Sequence, residues 1–128
     1  MEIVTENATS LAWIGDAVMT LRIREELLKE GYRKADVLQK KSARICSAKG
    51  QAHLLDQLMA ENFFNEDEQT ILARGRNATI HSKAKNADVG TYLKATALES
   101  VLGYLYLYHH EKRLQECLDK LAAAGKEL

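Results

Sequence analysis

A chain of 128 residues amounts to one domain, and 46% apolar with 28% charged residues excludes disordered and low-complexity scaffolds. Acids and bases balance at 18 each. No run approaches the ~18 consecutive apolar residues that cross a bilayer, and MEIVTENATS lacks the basic and apolar regions of a secretory signal.

Proline is absent, which favours helices over strands and tight turns. Leu11, Ile14, Val18, Leu21 and Leu28, interrupted only by Glu25, recur at steps of three and four. They predict an amphipathic helix over about 9–30, capped by Thr9 or Ser10 and stopped by Gly31. Val37, Lys41, Ile45, Ala48, Ala52, Leu55 and Met59 predict a second helix over about 34–61, with Gly50 as its point of interruption. Asn65 and Glu68 have the spacing of a capping box, and the acids at 66–68 suit a helix N-terminus, so a third helix is expected from there to about 74–77. NATIHSKAKNA, residues 77–87, has no apolar period and reads as a loop. A fourth helix is expected over about 88–108 on Val89, Leu93, Ala97, Val101, Leu102 and Leu105, and a fifth over 111–123 on Leu114, Leu118 and Leu121. The fold expected is a single all-α domain.

The neutral total conceals a sorting of charge. Six bases meet one acid over residues 31–51, and five meet one over 74–94, while 52–73 has five acids and no base. A polyanion within about 10 Å of a basic stretch would feel it although the molecule is neutral. The plainer reading is that both stretches are solvated helix faces.

Two carboxylates interrupt the most apolar segments: Asp16 in LAWIGDAV and Glu99 in ATALESVLGYLYL. Gly15 adjoins the first, and Gly103 follows the second by one turn. A glycine inside a helix costs about 1 kcal/mol against alanine, and close approach of another backbone is the usual reason for one. Helices crossing at these glycines would bring Asp16 and Glu99 together where water is scarce. A divalent cation such as Mg²⁺ would offset their repulsion. Surface acids, or acids tied to buried bases, fit the spacing as well.

LAWIGDAV resembles the first signature of the ribonuclease III catalytic domain, an apolar–Gly–Asp–Ala/Ser–apolar run on a helix. ALESVLGYLYL resembles the second. RGRNATIHSKAKNADVGTY resembles the loop and helix start of Mini-ribonuclease III, the bacterial subgroup that has the catalytic domain without a double-stranded-RNA-binding domain. Three motifs in order cover about residues 8–118.

The resemblance implies one ribonuclease III-like catalytic domain over 1–128, forming a helical homodimer in the cytoplasm. Asp16 and Glu99 are its expected catalytic and metal-binding acids, for Mg²⁺ with Mn²⁺ able to substitute. Classical members have further acids where this chain has Thr9, Ala12 and Thr96, which matches the Mini subgroup. The aromatic that classical members bury in the partner subunit falls on Trp13, a dimer anchor or else a core tryptophan. The implied reaction is hydrolysis of double-stranded RNA to 5′-phosphate and 3′-hydroxyl ends. The implied substrate is precursor ribosomal RNA of the large subunit, with a ribosomal protein as a candidate helper and no membrane partner.

Arg74, Arg76, Lys83 and Lys85, with Asn77 among them, lie in an acid-free segment suited to the phosphates and 2′-hydroxyls of A-form RNA. Asn77 fits a helix cap equally well. Lys40, Lys41, Arg44 and Lys49 offer a second phosphate-tracking face. His109 and His110 read as surface or helix-end residues, and Tyr92, Tyr104, Tyr106 and Tyr108 as core or interface packing. Cys46 and Cys117, which lack metal-ligand spacing, read as small core residues with free thiols, as in a reducing compartment. Ser82 has no neighbouring base to activate it. Two other readings compete: a non-catalytic RNA-binding or ribosome-associated module on the same fold, and a helical interaction dimer with no nucleic acid partner.

Overall fold

Capping decides where the helices begin. A computed structural model describes residues 1–79 and 88–128, and six helices account for most of them: α1 (Ala8–Lys29), α2 (Ala35–Cys46), α3 (Ala48–Ala60), α4 (Glu66–Arg76), α5 (Val89–Leu107) and α6 (Glu111–Gly125). The start of α1 is capped by Asn7, whose side chain accepts from the Ser10 N–H, rather than by Thr9 or Ser10. Its end is a Schellman turn. Gly31 takes φ +101°, and the Tyr32 N–H reaches the Leu27 carbonyl. The capping box at Asn65 and Glu68 forms as expected.

The helix expected over 34–61 is two helices. The chain breaks at Ser47, not at Gly50, because the Ser47 side chain accepts from the Gly50 N–H and starts α3 afresh. Gly50 sits against the end of α2, where an added Cβ would lie 2.3 Å from the Arg44 carbonyl oxygen.

α5 is the axis of the molecule. It packs against α1, α3, α4 and α6, and apart from Glu99 every residue from Ala95 to Leu105 is buried. A helix buried on all sides is apolar on all sides, so a single stripe does not describe it. α1 lies on α5 with their backbones touching. A Cβ on Gly15 would stand 1.7 Å from the Glu99 carbonyl oxygen, and one on Gly103 1.9 Å from that of Leu11. Gly75 likewise brings α4 onto Ala97.

This crossing turns α1 away from its expected orientation. The face in the core is Leu11, Gly15, Met19, Ile23 and Leu27, whereas Leu21 and Leu28 of the expected stripe are exposed and Ile14 and Val18 half-buried. Glycine scores as neutral in an apolar count, yet here it is the residue of closest contact.

Two polar devices fasten the outer layers. Glu68 is 1% exposed, and Arg113 holds it at 2.7 and 2.8 Å while donating to the Phe63 carbonyl, which ties α6 to the start of α4. Residues 1–7 form a strap over the α5–α6 corner. Tyr104 and Tyr108 donate to the Glu2 and Glu6 carboxylates, His110 meets Glu2 at 2.8 Å, and Arg74 donates to the Glu6 carbonyl. His109, at φ +60°, forms the turn between α5 and α6 and is exposed.

Candidate active site

The contact of Gly15 with the Glu99 carbonyl places Asp16, the next residue on α1, beside the Glu99 side chain on α5. Glu99 is half-buried, while Asp16 is exposed, so the pair opens to the surface instead of lying in a dry interior. Burial, with the Asp16 carboxyl within hydrogen-bonding reach, pushes the Glu99 carboxyl up to about 8. Gln51 opposes this by donating to Glu99 Oε2 at 3.3 Å.

Around the pair stand residues of three further turns. Cys46, the last residue of α2, accepts at its carbonyl from Gln51 Nε2 at 2.9 Å. Its thiol is pushed up to about 11, chiefly by burial, with the Asp16 and Glu99 charges adding to the effect and a hydrogen bond to Thr20 opposing it. It stays a thiol at neutral pH and is no nucleophile. Cys117 is fully buried in the core. Thr9, Ala12 and Thr96 add no charge: Thr9 is exposed, and Ala12 and Thr96 are buried.

A divalent cation at this pair would displace the Glu99 proton to solvent and offset the repulsion that the two carboxylates would otherwise exert on each other. The donor set therefore fits one such ion, with Asp16 and Glu99 as its protein oxygens and waters completing the shell. Gln51, Thr20 and Cys46 stand by the pair; the sequence marked Cys46 only as a small core thiol and the other two not at all.

The expected RNA-facing residues divide. Arg76 is exposed in the last turn of α4, and Asn77 caps that helix through its backbone. Arg74 is half-buried and engaged with the Glu6 carbonyl at 2.6 Å. Lys83, Lys85 and Ser82 lie outside the described residues. Lys40, Arg44 and Lys49 are exposed on α2 and α3, but Lys41 is drawn over the Tyr32 ring at 4.4 Å.

Trp13 is 78% exposed, which removes the core alternative. Leu21, 62% exposed, and Tyr106, 53% exposed, line a groove of about 460 Å³ with Ile14, Val18, Leu114 and Leu118, to which Arg22 and Glu25 add charge.

Comparison with known proteins adds a family. The model of the Ribonuclease III domain matches residues 9–110. A Mini-ribonuclease 3 of Staphylococcus aureus is 44% identical over 121 residues, 94% of this chain and 90% of the relative. One from Enterococcus faecalis is 42% identical over 125 residues, covering 94% and 95%. A crystal structure of a Fusobacterium nucleatum protein superposes with a TM-score of 0.79 at 27% identity, covering 88% of this chain and 90% of that one.

Proposed function

This chain belongs to the ribonuclease III domain family and is an endoribonuclease, and from that premise we propose that it cuts double-stranded RNA as a homodimer with a divalent cation at Asp16 and Glu99. The observation that carries this reading is the meeting of those two carboxyls at the α1–α5 crossing. When bound, Mg²⁺ or Mn²⁺ supplies a water of lowered pKa and offsets charge on the transition state.

The chain's own residues do the rest. The glycine contact fixes the spacing of the carboxyls, Gln51 orients Glu99, and the thiol of Cys46 stays out of the chemistry. Arg76, Asn77, Lys83 and Lys85 bind the RNA backbone, joined by Lys40, Arg44 and Lys49. Trp13 anchors the second copy, so that each strand meets one site. The products carry 5′-phosphate and 3′-hydroxyl ends. Large-subunit precursor ribosomal RNA in the cytoplasm, with or without a ribosomal protein to present it, is the substrate to try first. Among the described residues no helix is long and apolar enough to cross a membrane.

The test mixes the purified protein with a long double-stranded RNA in Mg²⁺ or in EDTA, alongside Asp16→Asn and Glu99→Gln. Cutting in Mg²⁺ alone, reduced at least about 100-fold in both variants while a gel shift persists, is the expected result. A variant that cuts at the wild-type rate refutes the role of its residue.

A further inference from the structure

Two carboxylates are a sparse donor set. Among the described residues no cluster of three or more His, Cys, Asp or Glu side chains forms. The third polar group at the site is an amide. Gln51, in the first turn of α3, is 2% exposed, and its Nε2 donates both to the Cys46 carbonyl and to Glu99 Oε2. The Cys46 carbonyl, which can only accept, settles which way the amide faces, because the flipped form would set Oε1 against it.

Gln51 Oε1 is then buried with no hydrogen-bond partner, alone in this among the side chains of the described residues. Leaving a buried acceptor unpaired costs about 1–3 kcal/mol. Such a group in a native protein calls for a reason. A purely structural role, tying the α2–α3 corner to Glu99, employs Nε2 and leaves Oε1 without one.

We propose that Gln51 completes the cation site: Nε2 positions the Glu99 carboxylate, and Oε1 accepts hydrogen bonds from the hydration shell of the divalent cation. The inference rests on the cation reading given above. Mg²⁺ keeps several of its waters, and those waters present only donors to the protein. An acceptor oxygen one amide width from the nitrogen that holds Glu99 is suited to them. Being neutral, it adds nothing to the repulsion between the two acids. Groups of this kind typically shift metal affinity 10- to 100-fold.

The experiment measures Mn²⁺ binding by the free-ion electron paramagnetic resonance signal, without RNA, so that cleavage plays no part in the readout. Wild type, Asp16→Asn, Gln51→Met and Gln51→Glu are compared, each with a circular dichroism melt in EDTA to establish folding. Methionine keeps the length of the side chain and removes both polar atoms. Glutamate keeps the acceptor and loses both donations. The expected result is Mn²⁺ binding weakened about 10-fold or more in Gln51→Met and retained in Gln51→Glu. Gln51→Met binding as wild type does, or Gln51→Glu as weak as Gln51→Met, overturns the role of Oε1 and leaves the cation site standing. If Gln51→Met does not fold, Gln51→Leu, which likewise lacks both polar atoms, takes its place in the comparison. Wild type binding no better than Asp16→Asn overturns the cation reading itself.

Discussion

Arg74 and Arg76 stand two positions apart at the end of one helix and have different surroundings. Arg74 is half-buried and holds the Glu6 carbonyl, whereas Arg76 points into solvent. Arg74→Ala is therefore expected to lower stability by about 1–2 kcal/mol, read by chemical denaturation. Arg76→Glu should leave stability within about 0.5 kcal/mol and weaken RNA binding, with the salt slope reduced by about 1 in a filter-binding titration. Equal effects of the two variants on binding would contradict the division. Asp16 and Glu99 were legible in the sequence because a charge inside an apolar run is conspicuous. Gln51 was not, since a neutral amide carries no such contrast and its orphaned oxygen exists only after α2 and α3 have met. Glu68 was legible as a cap, but its partner Arg113 is 45 residues away and no local pattern connects them.

Among the elements, the α1–α5 pair is held apart by nothing but backbone. Gly15→Ala places a methyl 1.7 Å from the Glu99 carbonyl oxygen. It should cost about 3 kcal/mol or more in a denaturation experiment and displace the acids, since a backbone atom cannot rotate away as a side chain can. Gly31→Ala, where no neighbour crowds the position, should cost only its positive φ, about 1 kcal/mol. The strap offers a pH dependence. Hydrogen bonds from Tyr104 to Glu2 and from Tyr108 to Glu6 lower both carboxyls below their ordinary value of 4.5. Groups lowered in the folded state contribute stability above that value and lose it as the pH falls through the folded one. Residues 1–7 should thus loosen on acidification below about pH 4.5, before the helices melt, as faster proteolysis of that segment by an acid-active protease. The helices themselves were largely legible, because capping signals are local: Asn65 with Glu68, and Gly31. The break at Ser47 was hidden by an apolar period that runs unbroken through Ile45, Ala48 and Ala52. The facing of α1 was hidden because the helix has two apolar sides, one for α5 and one exposed.

For the molecule as a whole, that exposed side is the feature to be explained. Trp13, Leu21 and Tyr106 lie in water on a chain whose other large side chains are mostly buried, and exposed apolar patches of this kind mark interaction surfaces. On the homodimer reading, Trp13→Asp together with Leu21→Asp should convert a dimer into a monomer in sedimentation at about 10 μM, since two buried charges without partners outweigh the gain of a standard interface. Circular dichroism should show the helices intact, because neither residue belongs to the core. A wild-type monomer at that concentration would refute the paired-site arrangement. The fold class and family followed from motifs in α1 and α5, while the choice between an exposed and a core Trp13 did not, because exposure depends on how every other helix is placed.

The glycine contact between α1 and α5 works as a fixed gauge. Side chains in a core re-pack when a neighbour changes, but two backbones already touching can come no closer, and the helices around α5 keep them from parting. The distance between the two acids is thus calibrated by atomic radii and insulated from substitutions elsewhere in the interior. Variation in residues remote from the crossing can alter how firmly the molecule holds together without resetting the spacing of the two acids.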